Sequence, residues 1–481
     1  MKVKTASRKL SVLAVALSIL FSCFLLPSCT TKGMQRQKVL DKPLNDDYIA
    51  RIAEIRKEKK KLYGDGVTNA FLYCMDVGVL FHYAEMYDSS NVYLMRAEEI
   101  FDDLFTKSVS NEAAAILTND NVRPYRSKPY ELTLLHQIVA LNYMAMGKFD
   151  ESLVESRKMQ IYFNEWERTK DKKYHTDGMF HLFTSLAYER TGESDNSLIS
   201  LYKSADAYKK GPVPLAPEVE GFAYDRLMAG DRENDVSELG LKPDNGPNKW
   251  NAKSGQAEIL IVGYAGKGPK MVEMNWRGTM TPGGGLQITM YGKNRRGTYS
   301  SAAPMIPDSH RGKVRAGVAH NIKISLPELV TASSRVDRFS ARLDGSDRVF
   351  ESVVVNNIDL QAKKALADDF GAIVARTALR AIIRAVATEK IQRADTGNAG
   401  VNLMLGVGSM IYNEAVEQAD VRMCFMLPQR IIVTRIPVEP GTHSVRLDVH
   451  DRLGGLIGRK SFDNIDVKKG EKKILFSKYL L

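Results

Sequence analysis

The spacing of apolar residues changes twice along the chain. A predominantly apolar stretch from Leu10 to Leu26 follows a short basic stretch ending at Lys9. From about residue 48 to 239 apolar positions recur every three or four residues, the spacing of amphipathic helices. Leu94, Ala97, Phe101 and Leu104 form one such stripe, and Leu134, Ile138, Leu141 and Ala145 another. Beyond residue 257 the period becomes two, and "AEILIVGY", "GLQITMYG", Ile322–Leu326 and Phe350–Val355 read as strands. One helical segment, Gln361 to about Gln392, interrupts them. Phe370, Ile373, Leu379, Ile382, Ile383 and Val386 supply its expected buried side, with Arg376, Arg380 and Arg384 along another face. The last stretch places Val445, Leu447 and Val449 inward against Arg446, Asp448 and His450 outward, with turns at Pro440-Gly441 and Gly454-Gly455.

Within the helical part a repeat is visible. "HQIVALNYMAMGKFDESL" from His136 and "HLFTSLAYERTGESDNSL" from His181 keep His136/His181, Tyr143/Tyr188, Gly147/Gly192 and Ser152/Ser197 in register at an offset of 45 residues. Each unit reads as helix, glycine turn, helix, and Tyr143, Gly147, Phe149 and Ser152 resemble the tetratricopeptide pattern. Such a unit buries its apolar face only by stacking on neighbours. "GPVPLAP" at 211–217 stops the pattern, and "GLKPDNGPNKWNAKSGQ" at 240–256 has linker composition.

The leader gives the compartment. A basic start, an apolar core and Leu26-Pro27-Ser28-Cys29 match a lipoprotein signal in which Cys29 becomes the lipidated first residue. Leu20-Phe21-Ser22-Cys23 fits more loosely, and cutting there leaves apolar residues on the mature chain. A noncleaved anchor or a plain secreted protein is the alternative. Acyl chains on Cys29 hold a soluble body at a bilayer, and Thr30, being uncharged, favours the outer membrane. The expected organisation is a signal peptide at 1–28, a tether at 29–47, helical repeats at 48–239, a linker at 240–256, an α+β domain at 257–418 and an antiparallel β module at 419–481. The formal charge of +11 overstates the mature body. Removing the four basic residues of the leader, Lys2, Lys4, Arg8 and Lys9, leaves 64 basic against 57 acidic residues, a balance that gives no reason to expect nucleic acid. Near the anchor, "YIARIAEIRKEKKKL" at 48–62 carries a lysine cluster that reads as a solvated helix face or as a contact to anionic headgroups.

Motifs that demand a fixed spacing are few. "GYAGKGPK" lacks the hydroxyl residue and following helix of a phosphate loop, and His-Glu-x-x-His and Gly-x-Ser-x-Gly do not occur. Ser200 and Lys203 have a serine-lysine spacing inside a repeat helix and read as coincidence. His136 and His181 occupy one slot in successive helices, where a packed aromatic is expected, and Asp368 and Asp369 read as helix-surface acids. Cys74 and Cys424 read as buried thiols. No catalytic residue, cofactor or metal ligand is assigned.

Four stretches carry a resemblance along most of the mature chain: "PYELTLLHQIVALNYMAMGKFDESLVESRK" at 129–158, "GYAGKGPKMVE" at 263–273, "ARTALRAIIRAVATEKI" at 375–391 and "ADVRMCFMLPQRIIVTRIPVEPGTH" at 419–443. In order and spacing they resemble an uncharacterised family of bacterial lipoproteins with tetratricopeptide-like helices and a C-terminal α+β region. Asp420, Arg422, Leu427 and Pro428 match its pattern; Met423 and Cys424 replace a small polar residue and a tryptophan. The resemblance implies a setting among envelope lipoproteins, including relatives of activators of peptidoglycan synthases. The expectation is a multidomain chain, an N-terminal α-solenoid followed by an α+β region ending in a small antiparallel β module. It would serve as a membrane-anchored scaffold or adaptor that binds envelope protein partners through a concave surface of the tetratricopeptide-like repeats, in the periplasm, in cell-envelope or peptidoglycan assembly. The alternative is an envelope enzyme acting on glycan or peptide with a site in the α+β region.

Overall fold

The computed structural model describes residues 36–480 except 38, 43–45, 107–120, 122, 169–176, 247–248, 251–254, 281–285, 292–295, 302–320 and 393–416. The leader with Cys29, Arg384 and Ile382, Ile383 and Val386 as side chains, and the glycine-rich stretch 397–412 lie outside what is described. Eleven α-helices and twelve strands are present among the described residues. The first ten helices are α1 (Tyr48–Lys57), α2 (Lys59–Leu62), α3 (Ala70–Tyr83), α4 (Tyr87–Thr106), α5 (Pro129–Ala145), α6 (Phe149–Arg168), α7 (Gly178–Thr191), α8 (Ser194–Lys210), α9 (Pro217–Ala229) and α10 (Glu233–Leu239). None of the described helices is long and apolar enough to cross a membrane.

Helices α3 to α8 run as three antiparallel hairpins. Gly147 and Gly192, in register in the repeat, both turn the chain with left-handed φ values of 75° and 84°, which a residue with a Cβ adopts only under strain. The second helices touch side by side: Lys158 on α6 donates to Glu98 on α4 at 2.9 Å, and Lys203 on α8 donates to Gln160 on α6 at 3.0 Å. The first helices, α3, α5 and α7, are buried along nearly their whole length.

Their cover is the protein's own sheet. Strands β1 (Glu258–Lys267), β8 (Val353–Asn357), β9 (Pro428–Pro437) and β12 (Lys472–Tyr479) form one sheet in the order β12-β1-β9-β8, with β12 parallel to β1. β1 reads as a continuous apolar run because both its faces are covered. Leu260, Val262 and Tyr264 face the helices with Ile431, Val433, Ile474 and Phe476 in one core. Ile259, Ile261 and Ala265 face a second sheet, β11-β10-β6-β7, made of β6 (Arg338–Leu343), β7 (Val349–Glu351), β10 (Gly441–His450) and β11 (Leu456–Val467). On that face Gly263 is required: a Cβ there would lie 1.9 Å from the Phe339 ring. A third sheet, β4-β3-β2-β5, comprises β2 (Lys270–Met280), β3 (Leu286–Tyr291), β4 (Arg296–Ser301) and β5 (Asn321–Val330), and the long helix α11 (Ile358–Gln392) packs on β5.

Two expectations change. The strands after residue 419 do not form a sheet of their own, because β9 and β12 pair with β1 and β8 while β10 and β11 continue β6 and β7. On α11 the expected faces are partly exchanged: Phe370 is 38% exposed, whereas Arg380 is 3% exposed and lies beside Glu417. Small residues, Ala362, Thr377 and Ala381, make the buried side and let the helix approach the sheet closely.

Polar groups join the helical layer to the first sheet. His82 on α3 bonds Asn142 on α5 and, through Nε2, the Tyr264 hydroxyl at 2.6 Å. Burial brings the His82 imidazole down to about 4, so it is neutral at pH 7. Glu258, fully buried on β1, receives the Nε–H of Arg435 at 2.8 Å and the ammonium of Lys472; Lys472 also reaches Glu189 on α7 at 3.2 Å. Burial pushes the Glu258 carboxyl up, but Arg435 and Lys472 outweigh it and hold it below the ordinary range.

Candidate functional site

Three polar constellations stand out among the described residues. The first is built on the repeat histidine. His136 Nδ1 donates to Glu155 at 2.8 Å, its Nε2 faces Glu98 at 3.9 Å, and the three residues are grouped tightly enough to ligate a metal. The Lys158 ammonium, however, lies 2.9 Å from Glu98 and 3.1 Å from Glu155 and already supplies the positive charge. Glu155 has no acidic counterpart one repeat later, where Ser200 stands, so the in-register histidines carry no signal of it. His181 is buried, and burial takes its imidazole down to about 3.

The second is a cavity of about 60 Å³ beside Asp177, lined also by Tyr208, Asn356, Gln361 and Lys364. Asp177 caps α7 through the Phe180 N–H at 2.8 Å and accepts from Asn356 and Gln361; burial pushes its carboxyl up. This volume has room for a few water molecules and is well short of the ~300–1,000 Å³ of ligand clefts.

The third is a cleft of about 380 Å³ at the junction of α11, β2, β5, the segment before α5 and the corner before β9. Six cationic residues line it: Arg123, Arg126 and Lys128 from the helical side, Arg376 and Arg380 from α11, and Arg422 from the corner. The corner is rigid. Arg422 donates from Nε and Nη2 to the two oxygens of Asp420 at 2.8 and 2.7 Å, and from Nη1 to the Arg123 carbonyl at 2.9 Å. Burial pushes the Asp420 carboxyl up, and Arg422 overcomes this to hold it low. Lys128 meets Asp369 at 2.7 Å, Ser325 donates to the Glu417 carbonyl at 3.1 Å, and Ala419 N–H reaches Glu273 at 3.2 Å. Fixed guanidinium groups around an open volume suit carboxylate or phosphate, since guanidinium binds both through paired N–H groups.

The cleft joins two sequence features, the α11 arginines and the Asp420/Arg422 corner, that are far apart in the chain. Lys128, Arg123 and Arg126 were not singled out by sequence; only their clustering before an apolar stripe hints at them. The other noted motifs carry no site. "GYAGKGPK" forms the turn from β1 into β2, followed by a strand rather than a helix. Ser200 is buried, and Lys203 turns to Gln160. Asp368 pairs with Lys364 on its own helix. Cys74 and Cys424 are both buried, as expected, and burial pushes the Cys74 thiol to about 11.

No protein-family model matches the chain, and neither curated proteins nor solved structures contain a match to it.

Proposed function

We propose that the protein is a lipid-anchored scaffold of the bacterial envelope, held at the outer membrane through Cys29 and facing the periplasm, that binds an acidic segment of an envelope protein in the basic cleft. Its hairpins are read as a short tetratricopeptide-like solenoid. The inner helices α3, α5 and α7, which would line a partner groove in an isolated solenoid, are covered here by the chain's own sheet. Partner binding is therefore assigned to the cleft between the helical layer and the strands. The observation that carries this reading is the convergence of six cationic side chains on one 380 Å³ volume, in a mature chain whose overall charge is only mildly basic; Asp369, Glu417 and Asp420 offset three of them, and an excess of three cations remains. Such a cleft raises the local concentration of an anionic segment and fixes its orientation.

The test uses the soluble chain carrying Cys29→Ser and a fluorescent poly-glutamate peptide. Binding that falls steeply with salt and weakens at least tenfold in Arg376→Glu supports the reading. Equal binding by wild type and Arg376→Glu overturns it.

A further inference from the structure

We infer that the surface around α2 and the start of α4 is a docking face for an anionic lipid bilayer, set against the membrane by a tether much shorter than composition suggests. The inference rests on lipidation of Cys29. The fold already holds the chain at Arg36, whose guanidinium donates to Asp76 at 3.0 Å and to the Met423 carbonyl at 2.8 Å, 4.9 Å from the Tyr63 ring. Leu40 is in the core as well. Six residues separate Cys29 from Arg36, and the seven peptide links between the two span at most about 25 Å. Whatever surface surrounds Tyr63 is thereby kept at headgroup distance.

That surface has the chemistry of a membrane contact. Tyr63 lines a groove of about 440 Å³ with Lys59, Val67, Tyr73, Val92 and Arg96. Val67 and Val92, which both line it, are 65% and 66% exposed, unusual for apolar residues on one groove. Half-buried Tyr93 adds an amphipathic ring, which favours the interface between lipid and water, while Tyr73 is buried at the groove floor beneath the Lys59 ammonium at 4.4 Å. Lys59, Asp65 and Arg96 line the groove, Arg56 donates to the Tyr93 hydroxyl at 2.9 Å, and the same stretches of chain carry Lys57, Lys60 and Lys61 against Glu58 and Glu99. Three of these cations keep an acidic partner, Lys60 with Asp65, Lys61 with Glu58 and Arg96 with Glu99, and an excess of three remains. A basic residue at an anionic surface contributes about fivefold to partitioning, so the excess strengthens attachment on the order of a hundredfold on top of the acyl chains.

The test is co-sedimentation of the mature chain, residues 29–481 with Cys29→Ser, with vesicles of equal phosphatidylglycerol and phosphatidylcholine, and with phosphatidylcholine alone, at low salt. Expected are binding to the anionic vesicles only, a loss of more than about a hundredfold in Lys59→Glu/Lys60→Glu/Lys61→Glu, which turns the excess of three positive charges into a deficit, and a several-fold loss in Val67→Asp. A control, Lys242→Glu/Lys468→Glu/Lys469→Glu, makes the same charge change elsewhere on the surface and is expected to bind like the parent. No preference for anionic vesicles, or an equal loss in the control, overturns the docking face. Labelled-palmitate incorporation by the full-length chain in cells is scored separately. Failure there with vesicle binding intact overturns the anchor and with it the tethered geometry, whereas labelling without vesicle binding overturns the face alone.

Discussion

Removing the charge of Glu258 while keeping its shape tests how the helical layer and the first sheet are joined. In the parent protein two cations share this carboxylate: Arg435, which also lies 4.0 Å over the Phe222 ring, and Lys472, which continues to Glu189 on α7. Glu189 in turn holds Arg226 of α9 at 2.9 Å. Glu258, Arg435 and Lys472 are all buried. Glu258→Gln leaves Arg435 with no counter-charge in an interior from which water is excluded, and breaking one side of a buried pair costs about 3–5 kcal/mol. Against a total stability of about 5–15 kcal/mol that is a large fraction. Lys472→Met removes one of the two cations that share the carboxylate, so the double variant should lose clearly less than the two single losses added together. The assay is urea unfolding of the Cys29→Ser chain followed by tryptophan fluorescence, with circular dichroism as a second probe of the same transition. A loss below about 1 kcal/mol in Glu258→Gln, or strict additivity in the double variant, refutes the argument. The pH dependence has a definite sign as well. Because the folded Glu258 carboxyl is held low, its contribution is present above the unfolded pKa near 4.3 and is lost as pH falls through the folded value.

Other outcomes follow from single positions. Gly263→Ala drives a methyl into the Phe339 ring and should cost about 1–3 kcal/mol or more, and Gly263→Ala/Phe339→Leu should recover part of it in thermal melts. His82 is neutral in the fold with its pKa down at about 4, whereas the unfolded chain takes up its proton near 6.5. Stability is therefore full above that value and should fall by about 3 kcal/mol between pH 7 and pH 4; His82→Gln should flatten this part of the curve. Cys74 and Cys424, buried with raised thiol pKa values, should react with a thiol reagent at pH 8 only after urea unfolding.

The elements legible in the sequence are those whose signal is local. The 45-residue register set both hairpin turns, because left-handed backbone at Gly147 and Gly192 is a property of single residues. The long helix, read from Gln361, begins at Ile358, and the strand near Phe350–Val355 is two strands parted at Ser352. Val445, Leu447 and Val449 are buried as their alternation required, but Asp448, read as outward, is shielded by Arg459 at 2.6 Å. What local pattern cannot carry is pairing between distant segments. Nothing near Lys472 indicates that β12 lies parallel to a strand more than two hundred residues earlier, nor that the apolar face of the helices is met by that sheet. The exchanged faces of α11 have a similar origin: alanines and charged residues are interspersed around the helix, so no steep polarity gradient fixes its orientation, which is set by β5 and Glu417 rather than by its own sequence. The basic cleft was half legible. Arg376, Arg380 and Arg422 were conspicuous as types, but only the fold brings them to Lys128.

The most direct test of the proposed binding role is a photo-crosslinking residue placed at Arg376 in the full-length protein in living cells, beside the same residue at Leu453, which is 96% exposed on the turn between β10 and β11. The account predicts a discrete envelope product from position 376, carrying an acidic segment at the crosslink, that is lost when Lys128 and Arg126 are reversed in charge and does not form from position 453. Identical products from the two positions, or a product at 376 indifferent to those reversals, would contradict it.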